Sequence, residues 1–422
     1  MMDLVAEQVG IDPAEVRRRN LIPDEPRPFV SPTGACYDTG SFHAQLEQAL
    51  EAIDYAKARR EQEQARTDGR HVGIGIATLI EATAPNIHAL AGRFACYEMA
   101  MIVVQPDGHV NVHVGTKSQG QGHATVFAQM ASEVLTVPLA QIDVRDGDTG
   151  IVPYGMGTWG SRSTVMGGGA VLKAAQAIRD KMTGIAAHLL QASPADVDLV
   201  DGMFRAGEAA VPFAQIASAA YMHTFLLPPG TDMGLATIVG YDPGGTSPFP
   251  DPETGHLNVG ATYSSAAAAA VVEVDPNRGR TRIRDVVIVH DCGRVVNPMI
   301  LDGQIQGAFA QAVGATFFEE LVYSPEGQPL CSTLLDYQIP AFGDVPRVRV
   351  VHNETPSALL GGFRGAGEAA MIITPSVLAN AVHDALRPLG VKITQTNLGA
   401  HHLRDAIRAA GVPLDPVAGV VS

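Results

Sequence analysis

The chain has 422 residues, 46% apolar and 17% charged, with a formal net charge of −15. This length holds two or three domains and a sizeable core. The composition is that of an ordinary globular protein, and the negative charge argues against nucleic acid or an anionic membrane as partner. Cys36, Cys96, Cys292 and Cys331 lie far apart and form no zinc or iron–sulfur spacing, so reduced cytoplasmic thiols are the default reading. The 14 histidines include no HExxH pair, and His401-His402 reads as surface. No apolar run reaches the length of a membrane span, and no membrane insertion is expected.

Asp12-Pro13-Ala14-Glu15 starts a helix: an Asp cap, Pro in the first turn, Glu three positions after the cap. Ser41 opens a second helix through Leu50 and Ile53, and the Pro- and Gly-rich stretch from Pro23 to Gly40 is loop. These elements bury no core alone, so residues 1–58 are expected to pack on a partner chain or on the rest of the fold. Arg59 to Arg70 reads as a linker or an exposed helix end. Val72–Leu79 and Tyr97–Val104 read as strands. The turn Pro106-Asp107-Gly108 leads into alternating Val110, Val112 and Val114, which makes a hairpin. Apolar helices are predicted over Thr125–Leu135 and Ala170–Leu190, followed by a loop or lid over Pro243–Asn258. A second hairpin runs from Ala268–Val274 through Pro276-Asn277-Arg278-Gly279 to Thr281–His290. Two more apolar helices cover Ile305–Leu321 and Ser376–Leu386. Hairpins with helices laid against them imply an α+β fold of hairpin-rich mixed sheets. Residues 70–345 form its main domain, and 346–422 form a C-terminal segment with the terminal helices.

The chemistry concentrates in glycine-rich loops. Gly361-Gly362-Phe363-Arg364-Gly365-Ala366-Gly367-Glu368-Ala369-Ala370 sets one carboxylate, Glu368, in an apolar run with no acidic neighbour nearby in sequence. Two readings are open: a helix cap favoured by the dipole, or a desolvated proton acceptor with a raised pKa. Three further loops precede helices: Gln119-Gly120-Gln121-Gly122, Gly157 to Thr164 ahead of Gly167-Gly168-Gly169, and Asp302-Gly303-Gln304. Backbone N–H groups of such turns hold anions, and neighbouring amides and hydroxyls can donate to phosphate or to a heterocycle edge. Neither GxxxxGK[ST] nor GxGxxG with its acidic partner occurs. Trp159 serves equally as core anchor or pocket wall, and Tyr154 and Phe363 share that ambiguity.

Several motifs in order resemble the molybdenum hydroxylases, the family of xanthine dehydrogenase, aldehyde oxidase and aerobic carbon monoxide dehydrogenase. They are Gly120-Gln121-Gly122 with Thr125 and Gln129; Val152-Pro153-Tyr154-Gly155 through Ser163; and Asp291-Cys292-Gly293-Arg294-Val295-Val296-Asn297-Pro298 with Gly303-Gln304. The fourth is Gly365-Ala366-Gly367-Glu368 with Asn380-Ala381 and Asp384-Ala385. Asp12 to Asn20 also resembles the family's Asp-Pro-x-Glu-x-Arg segment. The resemblance is to the C-terminal half of the molybdopterin-binding large subunit and covers roughly residues 10–390. It implies that Glu368 is the general base acting on a molybdenum-bound hydroxyl, with hydride passing to the sulfido ligand. It also implies that Gly120, Gln121, Gly122, Thr158, Gly160, Ser161, Ser163, Thr164, Gln304 and Gly367 hold the cofactor. Arg162 would meet its phosphates, with the metal held by the pterin dithiolene and by no side chain.

The chain departs from the family in having neither the cysteine clusters of two [2Fe–2S] centres nor a flavin segment. Both are expected on partner subunits. Family members also carry a further stretch ahead of the Asp-Pro-x-Glu segment, with a Gly-Gly-x-Phe-Gly loop beside the metal. A companion chain bearing that half is therefore expected to complete the pocket. The expected function is oxidation of an aldehyde, N-heterocycle or carbon monoxide with water-derived oxygen, using the cytosine dinucleotide form of the cofactor. The alternative is a non-catalytic cofactor-binding or assembly component.

Overall fold

The computed structural model describes residues 1–85, 97–247 and 249–414; Cys96 lies outside them. The chain opens with α1 (Met2–Val9) and α2 (Pro13–Asn20), makes a ribbon of β1 (Phe29–Val30) and β2 (Cys36–Tyr37), and continues through α3 (Phe42–Ala52) and α4 (Tyr55–Thr67). Strands β3 (His71–Pro85), β4 (Glu98–Val104) and β5 (Val110–Val114) lead to α5 (His123–Leu135), β6 (Ile142–Asp146) and α6 (Gly168–Leu190). A small meander, β7 (Asp198–Val200), β8 (Met203–Ala206) and β9 (Ala209–Pro212), precedes α7 (Phe213–Met222) and β10 (Ala236–Tyr241). The remainder is β11 (Gly260–Asp275), β12 (Arg280–Asp291), α8 (Pro298–Phe317), β13 (Arg349–Asn353), α9 (Ala369–Leu386) and α10 (Ala400–Ala409).

Two four-stranded sheets organise these elements, in the orders β13-β12-β11-β3 and β10-β4-β5-β6. Both are mixed, because β12 and β13, and likewise β5 and β6, run parallel while the other neighbours are antiparallel. Five consecutive alanines, Ala266–Ala270, form the middle of β11 and are all buried. A continuous apolar run of this kind belongs to a strand covered on both faces. Ala266, Ala268 and Ala270 face a core shared with α8 and α9, whereas Ala267 and Ala269 pack with Ala49, Ile53 and Ala58 of the α3–α4 region. Methyl groups suffice because the helices come close. On β3, a Cβ added to Gly73 would lie 2.0 Å from the carbonyl oxygen of Ala381, and one on Gly75 2.0 Å from that of Val377. Helix α9 thus meets β3 backbone to backbone.

The α+β expectation and both hairpins hold, as does the Asp12 cap, whose carboxylate accepts the Ala14 N–H at 2.8 Å. Several boundaries move. Arg59–Arg70 is no linker: α4 runs to Thr67 with Ala58, Gln62 and Ala65 buried. Its polar composition hides a buried cluster in which Asp384 accepts hydrogen bonds from Gln62 (2.6 Å), Arg59 (2.8 Å) and the Ile74 N–H (2.9 Å). The glycine- and alanine-rich stretches ahead of the predicted helices are already helical, so α6, α8 and α9 begin at Gly168, Pro298 and Ala369, and α8 ends at Phe317. The segment Ala369–Leu389 is long and apolar enough to cross a membrane by length and composition alone, contrary to expectation. It is a core helix, packed on β3, β11 and α8. His401 and His402 do not simply face solvent: their Nε2 atoms lie 3.1 and 3.0 Å from the two oxygens of Glu320.

The close approach of α9 to β3 generates a stability prediction. Gly75→Ala forces a methyl into the Val377 carbonyl and should cost about 3 kcal/mol, read as a lowered urea midpoint. An unchanged midpoint would show that the helix can lift away without penalty.

Candidate active site

Segments far apart in sequence converge on one cavity of about 560 Å³. Its walls are Gln119–Gln121 with His123, the loop Thr158–Thr164, Gln304 of α8, and Ala366–Glu368. Of the residues singled out in the sequence, Gly120, Gln121, Thr158, Gly160, Ser161, Arg162, Ser163, Thr164, Gln304, Gly367 and Glu368 all border it. Gly122 stands just behind, as the N-cap of α5 with φ 81° and the Ile300 side chain against it. Trp159 borders the cavity; Phe363 is buried in the core, and Tyr154 stacks on Tyr97 at 4.3 Å. Larger cavities near His401 and near Phe342 contain none of the motif residues.

Each wall is held by its own hydrogen bonds. In the first loop the Gln121 Oε1 accepts the Gln119 N–H at 2.5 Å, which leaves the amide nitrogen to donate outward. His123 opens α5 and is buried; burial pulls its imidazole below the ordinary value against the opposing pull of Asp146, which keeps the ring neutral. Its Nε2 has no protein partner among the described residues. In the second loop Thr158 Oγ1 donates to the Lys117 carbonyl at 2.6 Å and lies 3.1 Å from Ser163 Oγ.

Arg162 corrects the expectation of a phosphate-binding cation. It is fully buried, pairs with Glu98 of β4, donates to the Gly157 carbonyl at 2.7 Å and lies under the Trp159 ring. Glu98 also accepts the Met156 N–H at 2.7 Å; burial pushes its carboxyl up, opposed by Arg162. The charge therefore fastens the loop to the sheet.

The third wall carries Glu368 at the N-cap of α9. Gly365 is required here, because a Cβ would lie 2.1 Å from the Ser161 carbonyl oxygen. Its N–H donates to Thr83 Oγ1 at 3.2 Å. The Asp291-Cys292-Gly293 motif supports this loop from behind: the Arg364 N–H donates to the Cys292 carbonyl at 2.7 Å, and Asp291 accepts from the Gly293 N–H and from Thr355. Burial pushes the Cys292 thiol up to about 12, so it is inert.

Glu368 is neither desolvated nor isolated in this chain. It is exposed, and a second acid, Glu81 of β3, stands one hydroxyl away. Ser161 Oγ lies 2.7 Å from Glu81 Oε1 and 2.8 Å from Glu368 Oε2. Ser161 itself has φ 51°, a left-handed conformation costly for a residue with a Cβ. The sequence reading missed Glu81, Glu98 and His123. Glu81 carried a usable signal, a lone carboxylate inside the apolar strand from His71 to Pro85.

The Gln304 side chain borders the cavity, the buried His123 Nε2 lacks a protein partner among the described residues, and open space lies over the backbones of Gly120 and Gly157. Such walls fit a large flat heterocycle with many acceptors and an anionic tail. Together with the mixed-sheet fold they define a cofactor-binding domain. A family model described as "Molybdopterin cofactor-binding domain" matches residues 48–346. The chain is 35% identical to the nicotine 6-hydroxylase large subunit of Paenarthrobacter nicotinovorans over 92% of its own length and 47% of the relative's. It is 32% identical to the carbon monoxide dehydrogenase large chain of Hydrogenophaga pseudoflava, over 93% and 48%. The crystal structure of quinoline 2-oxidoreductase from Pseudomonas putida 86 superposes with a TM-score of 0.88 at 34% identity, covering 96% of this chain and 51% of that one. The chain belongs to the molybdenum hydroxylase large-subunit family. It spans about half the length of the curated relatives it matches.

Glu98→Ala strips the buried Arg162 of its counter-charge and should cost about 3–5 kcal/mol, seen by denaturant unfolding. A loss below about 1 kcal/mol would mean that water reaches Arg162 and the loop is not fastened as described.

Proposed function

We propose that this chain supplies the cofactor cradle and the general base of a molybdenum hydroxylase acting on an N-heteroaromatic substrate with water-derived oxygen. The observation that carries the reading is the convergence of Glu368, Gln121, Gln304 and the 158–164 loop on one cavity. When bound, the molybdenum–molybdopterin group supplies the two-electron acceptor and the oxygen-transfer centre. The amide nitrogens of Gln121 and Gln304, which line the cavity, would donate to the pterin edge. The N–H groups of the Gly120 and Gly160 turns and the Thr164 hydroxyl, with Ser163 beside them, would hold its phosphates, in the cytosine dinucleotide form. Glu368 accepts the proton of the water-derived nucleophile at its carboxylate. Two of the relatives are named for nicotine and quinoline, both N-heterocycles, which favours that class over carbon monoxide or an aldehyde.

Glu368 is exposed here, and the cavity is open. The half of the family's large subunit that lies outside these residues closes it and completes substrate selection. [2Fe–2S] and FAD centres on partner subunits would take up the two electrons. The free thiols of Cys36, Cys292 and Cys331 suit a cytoplasmic setting.

In the assembled protein Glu368→Gln should lower turnover of an N-heterocycle about 10²–10⁴-fold with molybdenum content unchanged. Normal turnover would remove Glu368 as the base, and loss of the metal would make it structural. The chain alone should bind the pterin weakly and turn over no substrate. Full turnover without the other half would overturn the completion argument.

A further inference from the structure

Three oxygen–oxygen contacts link the two acids on the cavity wall. Ser264 Oγ lies 3.1 Å from Glu81 Oε2, Glu81 Oε1 lies 2.7 Å from Ser161 Oγ, and Ser161 Oγ lies 2.8 Å from Glu368 Oε2. Ser264 sits directly opposite Glu81 in the β3–β11 register and is fully buried. A hydrogen bond needs a hydrogen, and a serine hydroxyl owns one. Two serines supply two hydrogens for three contacts. A carboxyl proton supplies the third; two ionised carboxylates would have to share the single hydrogen of Ser161 in a weaker three-centre bond.

The surroundings decide which carboxyl holds it. Glu81 is 7% exposed, between two strands; Glu368 is exposed on the cavity. Among the described residues, the charged group acting on Glu81 is Glu368 itself, a like charge. Burial pushes the Glu81 carboxyl above its ordinary value, the hydrogen bonds of Ser161 and Ser264 oppose it, and the neighbouring acid adds to the upward push.

We propose that Glu81 is a neutral carboxylic acid that donates through Oε1 to Ser161, turning the Ser161 hydrogen onto Glu368 Oε2 and so positioning Glu368 as an anion with its other oxygen free. This rests on the reading of Glu368 as general base. Glu81 touches no reacting atom and is a positioning residue. The arrangement holds the Glu368 side chain in one rotamer and directs its basic oxygen, Oε1, to the cavity. It also explains why Ser161 keeps a hydroxyl at a φ that glycine would occupy more easily.

The test uses the assembled holoenzyme with Glu81→Gln and Glu81→Ala. A glutamine presents an N–H2 where the acid presents O–H, so kcat and its pH profile should stay within about twofold of wild type. Alanine leaves Ser161 undirected and should lower kcat about tenfold, one hydrogen bond's worth, with KM unchanged. An infrared difference between wild type and Glu81→Gln at neutral pH should show loss of the carbonyl band of a protonated carboxyl. Loss of an ionised carboxylate band instead, or Glu81→Gln as impaired as Glu81→Ala, overturns the proposal. The infrared readout does not depend on turnover: if Glu368→Gln remains fully active while the protonated band is present, the general-base reading fails and the neutral acid stands.

Discussion

The backbone contact between α9 and β3 governs where everything else in the site can be. Gly73, Gly75, Ala77, Leu79, Glu81 and Thr83 alternate onto one face of β3, and the first of these admit the helix to within touching distance of the strand. The helix runs antiparallel to that face. Ala385 and Ala381 sit over Gly73, Val377 over Gly75, and the N-terminal end carrying Glu368 arrives beside Glu81 and Thr83. A shift of one strand residue would turn this whole set to the opposite face and part the two acids. The position of the proposed base is thus set by packing made well away from it.

The buried charges perform a related task on the opposite wall. Arg162 and Glu98 are both wholly buried, and taking such a pair out of water contributes little net stability. What it contributes is place. A glycine-rich loop has many conformations of similar energy, and one guanidinium shared among Glu98, the Gly157 carbonyl and the Trp159 face selects one of them. Asp291 does the same for the loop leading to Glu368, through Gly293 and Thr355.

Much of the cradle was legible in the sequence because the loops announce themselves. Clustered glycines with amides and hydroxyls ahead of apolar helices mark places where backbone must approach something, and eleven of the twelve residues that the family resemblance picks out border the cavity. The partners of charges were illegible. Arg162 reads as an available cation until Glu98, sixty-four positions earlier, is placed beside it; Glu368 reads as isolated until β3 brings Glu81 up. Both errors come from long-range pairing, on which spacing is silent. Helix starts failed for a different reason. Gly167 to Gly169 read as loop, yet Gly168 and Gly169 open α6, and glycine stands at 169 because the Tyr241 ring, 2.2 Å from where a Cβ would stand, leaves no room for a side chain. A residue that lowers helix propensity was chosen for clearance.

The left-handed torsion of Ser161 has an evolutionary consequence. Selection for thermal robustness alone would drift this position toward glycine, which adopts that torsion freely, while selection for turnover would hold the hydroxyl in place. Stability and rate therefore pull in opposite directions at a single backbone angle. Thermostable members of this lineage would be expected to find their added stability elsewhere and leave that strained serine alone.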